Sequence, residues 1–158
     1  MHESDFMGCP NQRMVVWIVT WKSSAGREVH LVAANLIRPH EKTTRQHVDL
    51  IAHALLSDEI VREPLLVGRK TYVLLDGHHR FAALKNLGFI QVPVCFLDEA
   101  TEIKDVVGRR PEIAISHSIV VEMAERGELF PPKTSRYFPV PSIGSIDFPL
   151  AGLMAPEH

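Results

Sequence analysis

Val73-Leu74-Leu75-Asp76-Gly77-His78-His79-Arg80 is the stretch from which the fold can be read. Val73 to Leu75 is a short apolar run, the pattern of a buried strand end. Phe81-Ala82-Ala83-Leu84-Lys85-Asn86-Leu87 follows with the spacing of an amphipathic helix, and Gly88 stands where helices commonly stop. The motif between them therefore lies at a helix N-terminus. There, free backbone N–H groups and the positive end of the helix dipole favour an anion. Gly77 lets a ligand approach the backbone closely. Arg80 offers a planar fork of donors for phosphate or carboxylate. Asp76, at the strand's end, is an oxygen ligand of the kind Mg²⁺ takes. His78 and His79 complete a set of phosphate-facing groups. The plainer alternative is a turn in which Asp76 caps the helix and both histidines are solvated.

Working outward, Met14 to Thr20 is β-branched and aromatic and reads as a strand, with Glu28 to Ala33 returning after the turn at residues 23–26. Pro39 keeps the residue before it out of helical geometry, so Leu36 to Glu41 is extended or turning. Thr43 or Thr44 caps a helix carrying Val48, Ile51, Ala52, Leu55 and Leu56 on one face. Pro64 to Val67 and Thr71 to Leu75 form a second hairpin around Gly68-Arg69-Lys70. Val92 to Leu97 is a strand, and residues 99–107 carry no clear period. Ser116 or Ser118 caps a helix that ends before Gly127. From Pro131 the chain is rich in proline and glycine. The expected organisation is a flexible leader over 1–12, one domain over 13–137, and a strap over 138–158 laid across it. The fold class is α+β, with a small mixed sheet and flanking helices.

The chain has 158 residues, enough for one domain with a sizeable core, and a formal net charge of −2. That balance gives no global basic footprint for nucleic acid. Cys9 and Cys95 are far apart and form no CxxC pair, and the nine histidines show no zinc-ligand spacing. The start of the chain is not the basic start of a signal peptide. The run Met14 to Val19 is too short to span a bilayer. The expectation is a cytoplasmic protein with no nucleic-acid and no membrane partner; composition leaves the oligomeric state open.

Two further segments carry chemistry-bearing residues. Leu36-Ile37-Arg38-Pro39-His40-Glu41 places a carboxylate after a Pro-His pair; alone, such a loop glutamate reads as a solvated surface residue. Pro131-Pro132-Lys133-Thr134-Ser135-Arg136 places two hydroxyls between two cations. That run is either a basic surface turn or a clamp on an anionic substrate, stiffened by its prolines.

Taken together, these three segments in this order resemble the free serine kinases of the ParB/sulfiredoxin-like superfamily, over roughly residues 30 to 137. The resemblance implies an enzyme that transfers a phosphoryl group from ATP or ADP, with Mg²⁺, to the hydroxyl of free L-serine. By the same resemblance Glu41 is the catalytic acid/base, with His40 either orienting it or structural. Asp76 holds the metal, Gly77 to Arg80 cradle phosphates, and Lys133, Thr134, Ser135 and Arg136 bind the amino acid. This chain departs from the family in two places. Relatives often read Lys-Thr-Thr-Arg-His where Ser135 and Tyr137 stand here, and the span from Arg80 to Lys133 is short. Two rivals remain: a ParB-like DNA-partition or transcription regulator, which normally adds a helix-turn-helix, and a non-catalytic nucleotide or phosphoamino-acid sensor. Sulfiredoxin chemistry is disfavoured, since the phosphate box has no cysteine.

Overall fold

The computed structural model describes residues 2–5, 15–139 and 142–153. Ten strands and three α-helices are found among them. The main sheet has six strands: β1 (His2–Asp5), β2 (Val15–Lys22), β3 (Glu28–Ala33), β5 (Leu65–Gly68), β6 (Leu74–Asp76) and β7 (Gln91–Leu97), in the order β1-β2-β3-β7-β5-β6. The β2–β3 and β5–β6 pairs are the two expected hairpins. β5 runs parallel to β7 while β3 is antiparallel to it, so the sheet is mixed. Within the expected 1–12 leader, residues 2–5 form an edge strand antiparallel to Val15–Ile18. The rest of that stretch lies outside the described residues.

β7 is buried at every position, because both faces of the sheet centre are covered. Helices α1 (Arg45–Asp58) and α2 (His78–Asn86) pack side by side and send Val48, Leu55, Phe81, Ala83 and Leu84 into the core. Helix α3 (His117–Glu125) adds Val120 and Ala124, and its cap is Ser116, whose hydroxyl accepts from the Ile119 N–H. Thr44 stands at the α1 cap position without a side-chain cap bond.

The strap is part of the core. Ile143, Ile146, Phe148, Leu150 and Leu153 are buried. The Trp21 Nε1–H donates to the Ile146 carbonyl at 2.7 Å, and the Gln91 side-chain amide donates to the Leu153 carbonyl at 2.9 Å. Phe148–Pro149 (β10) pairs with Ile60–Val61 (β4). The unassigned stretch near residue 100 supplies β8 (Ile103–Gly108), which pairs with β9 (Ser135–Pro139). That ladder joins segments some thirty residues apart, so neither strand carries a strong local signal. Among the described residues no helix is long and apolar enough to cross a membrane.

Gly77 connects β6 to α2 with φ +100°, a conformation L side chains rarely adopt. A Cβ there would lie 2.7 Å from Leu65 Cδ2 and 2.9 Å from an Arg80 guanidinium nitrogen. Gly77→Ala is therefore expected to cost about 1–3 kcal/mol of stability, measurable as a lower urea midpoint with unchanged slope.

Candidate active site

The first turn of α2 faces the loop that carries Glu41. The His78 side chain is buried, and its Nε2 accepts the His40 backbone N–H at 3.0 Å. Burial, and to a lesser extent the neighbouring His40, hold its pKa down to about 3. It is a neutral acceptor that fixes the loop, not a cation facing phosphate. His79 stacks on His47 with ring centroids 4.2 Å apart, and its Nε2 accepts the Thr44 N–H at 3.2 Å. The loop is zippered on both sides. The Arg38 N–H donates to the Tyr72 carbonyl and the Leu74 N–H to the Arg38 carbonyl, both at 2.8 Å. The Phe130 N–H donates to the His40 carbonyl and the Lys42 N–H to the Phe130 carbonyl, also at 2.8 Å.

Glu41 is buried at the centre of this arrangement. Its Oε1 accepts the Lys133 N–H at 3.0 Å. Its Oε2 accepts the Ser135 N–H at 3.0 Å and the Ser135 hydroxyl at 2.6 Å. Lys133 has φ +56°, which turns the two N–H groups to one side and makes an anion-binding concavity of the backbone. His40 is fully buried, with Nε2 2.9 Å from Ser135 Oγ and 3.4 Å from Glu41 Oε2. Burial raises the Glu41 pKa, but hydrogen bonds with His40 and Ser135 and the nearby imidazoles outweigh it, and the carboxyl is lowered to about 2.

A cavity of about 180 Å³ opens beside this carboxylate. Asp76, Gly77 and the first residues of α2 form one wall, and Lys133 and Ser135 the opposite one. Amides 78–80 have no carbonyl four residues back within the helix, so the helix start can face an anion. Arg80 reaches the cavity but is partly committed. One guanidinium nitrogen donates to the Pro64 carbonyl at 2.8 Å, and another lies 3.8 Å from Glu63. Its buried Nε has no hydrogen-bond partner among the described residues.

The clamp expected over 133–136 is divided, with Lys133 and Thr134 in the turn before β9 and Ser135 and Arg136 at its start. Lys133 and Ser135 face the cavity. Thr134 is buried behind it, with its hydroxyl donating to the Pro131 carbonyl at 2.6 Å. Arg136 is exposed, with its guanidinium 5.3 Å from the Phe138 ring centroid, and does not line the cavity. Arg109 stands there instead, brought in by β8, and its N–H donates to the Thr134 carbonyl at 2.8 Å. The neighbouring Arg110 braces the turn through two hydrogen bonds to the Pro132 carbonyl, at 3.0 and 2.6 Å. Sequence reading missed Arg109 and His47. The Arg109-Arg110 pair was the available signal, but it stands just past the stretch 99–107 with no clear period, and only the non-local pairing of β8 with β9 brings it to the cavity.

Tyr137 is buried and anchored. Its hydroxyl lies 2.9 Å from His117 Nδ1, and His117 Nε2 lies 2.8 Å from Glu99. Burial, then the Glu99 and Glu41 charges, push its pKa up, so it stays protonated and ties β9 to α3. Among the described residues no group of three or more His, Cys, Asp or Glu side chains is arranged to hold a metal. Asp76 offers one exposed carboxylate on the cavity, while Glu41 is engaged. Were Mg²⁺ to bind here with a nucleotide, Asp76 would be the carboxylate available to hold it, rather than a protein cage.

No family model matches the chain. An ATP-dependent L-serine kinase of Staphylothermus marinus is 32% identical over 72 residues, 43% of this chain and 29% of that protein. An ADP-dependent L-serine kinase of Thermococcus kodakarensis is 30% identical over 66 residues, 39% of this chain and 27% of that protein. The chain thus spans less than a third of the length of either relative. A solved free serine kinase, a glutamate-to-glutamine mutant in complex with AMP, superposes with a TM-score of 0.71 at 15% identity, covering 86% of this chain and 98% of that one. The chain has the fold of that solved free serine kinase.

The His78 geometry sets a pH dependence. In the unfolded chain this imidazole titrates near 6.5, and in the folded chain only near 3. Between those values the unfolded state holds the extra proton. The stabilising contribution is full above pH 6.5 and is lost as pH falls towards 3. Thermal melts should show Tm falling on acidification from neutrality, by about 2–4 °C for each kilocalorie lost. His78→Gln, which keeps an acceptor for the His40 N–H, should fall less steeply over the same range. An identical slope would remove His78 as the source.

Proposed function

We propose that this chain is a cytoplasmic small-molecule kinase. It transfers a phosphoryl group from ATP or ADP to the hydroxyl of free L-serine, giving O-phosphoserine. Residues 13–137 form its catalytic domain, and the strap over 138–158 braces it. The observation that carries the reading is the placement of Glu41. An ionised, rigidly held carboxylate stands beside a cavity bounded by a helix N-terminus and by Lys133 and Arg109.

Phosphoryl transfer depends mainly on positioning and charge stabilisation. The amides at the start of α2 and Arg80 take the donor phosphates, with Asp76 towards the metal. Mg²⁺, when bound, neutralises charge on the phosphate oxygens. Glu41 Oε1 accepts one hydrogen bond, from Lys133, and keeps a lone pair for the acceptor hydroxyl. A carboxylate with so low a pKa is a weak base, so its main work is to orient the hydroxyl and take its proton late, as the new P–O bond forms. Lys133 and Arg109 hold the carboxylate and the arriving phosphoryl group. His40, His78 and His79 keep Glu41 in place.

The direct test incubates the protein with L-serine, Mg²⁺ and ATP or ADP and seeks O-phosphoserine by mass. Its absence with both nucleotides would overturn the reading. Glu41→Gln should lower kcat by about 10²–10⁴-fold and leave nucleotide affinity largely intact; near wild-type turnover would remove Glu41 from the mechanism. Arg109→Ala should raise the KM for serine by about tenfold or more, the cost of one charge-assisted hydrogen bond. Arg136→Ala should leave that KM within about twofold, since an exposed side chain on the far face makes no such bond. The reverse ranking would return the substrate clamp to Arg136.

A further inference from the structure

Ser135 is placed as a substrate hydroxyl would be. It lines the cavity beside Lys133 and Arg109. Its Oγ–H donates to Glu41 Oε2 at 2.6 Å, and the same Oγ lies 2.9 Å from His40 Nε2. Since the single hydroxyl proton goes to Glu41, the contact with His40 is an N–H donated to Oγ, which fixes the imidazole as the Nε2–H form. The second lone pair of Oγ is not used by either bond. The adjacent Thr134 is built differently: its hydroxyl is turned away, to the Pro131 carbonyl. Ser135 is therefore a primary alcohol with a carboxylate on its proton, at the wall of a cavity suited to a nucleotide's phosphates.

The geometry points to Ser135 as a site of self-phosphorylation that competes with the free amino acid, an inference that rests on the kinase reading. Ser135 Oγ attacks the terminal phosphorus of a nucleoside polyphosphate. The Oγ–P bond forms and the bond from phosphorus to the bridging oxygen breaks. The electron pair leaves with the shortened nucleotide, and the hydroxyl proton passes to Glu41 Oε2. The product is a phosphoserine in the chain, its dianion beside Lys133 and Arg109 and against the Glu41 carboxylate. A phosphate there fills the acceptor's place and repels Glu41. The modification thus inhibits, and a bound free serine, by engaging the phosphoryl group first, protects against it.

The full chain is incubated with Mg²⁺ and ATP, and in a second arm with ADP, without amino acid. It is then analysed by intact mass and peptide mapping, while a parallel sample with L-serine is assayed for O-phosphoserine. The expected result is one added phosphoryl group on Ser135. It should be suppressed by saturating serine, lost in Ser135→Ala and Glu41→Gln, and retained in Ser135→Thr, which keeps a hydroxyl at the position. Turnover of free serine with Ser135 unmodified overturns this inference and leaves the kinase reading standing. Absence of both products overturns both. Phosphorylation confined to another residue also overturns it. Modified Ser135 without turnover of free serine supports it and removes serine as the acceptor.

Discussion

The grip of the backbone at Lys133 and Ser135 on the Glu41 carboxylate is the interaction on which the site depends. A carboxylate buried without partners is among the most expensive things a fold can contain. Here two N–H groups and a hydroxyl meet it within 3.0 Å. These bonds join two segments more than ninety residues apart, and each segment is fixed elsewhere. The loop is zippered to Val73 and to Phe130, and the turn before β9 is braced by Arg110. Removing the carboxylate's partners would leave an uncompensated charge, so the loop and the turn hold their places together.

Around that bond, the histidines divide into support and surface. His40 and His78 are buried, and their rings meet Ser135 and the loop backbone respectively. His79 stacks on His47 at the cavity's edge. The cations that can meet an anion come from different parts of the chain: Arg80 from α2, Lys133 from the turn before β9, and Arg109 from just after β8. Assembly of the cavity therefore requires the β8–β9 ladder as well as the β6–α2 turn.

Much of this was legible in the sequence. The strand, glycine and helix around Asp76 to Arg80 are local features with strong periods, and the structure has them where the pattern puts them. The two hairpins and the Ser116 cap are similarly local. Glu41 was recognisable from its Pro-His-Glu segment by family resemblance, but its environment was not. The N–H groups that hold it are backbone, and backbone leaves no signature in residue types. The pairing of β8 with β9 is non-local, and it decides that Ser135 faces the cavity while Arg136 faces outward. Strand alternation separates Ser135 from Arg136, and the turn before β9 sets Lys133 and Thr134 apart, in a run that reads as one clamp. The bond that His78 makes was hidden for the same reason: its ring accepts from a loop that only the folded chain brings near.

Glu41 stands ionised and held by Lys133 and Ser135. This is tested most directly by following the Glu41 side-chain carboxyl by ¹³C NMR through an acid titration, with the resonance assigned by its loss in Glu41→Gln. The carboxyl is expected to stay ionised to a midpoint of about 2, or until acid unfolding intervenes. A folded protein in which this carboxyl titrates near the ordinary 4.5 would contradict it.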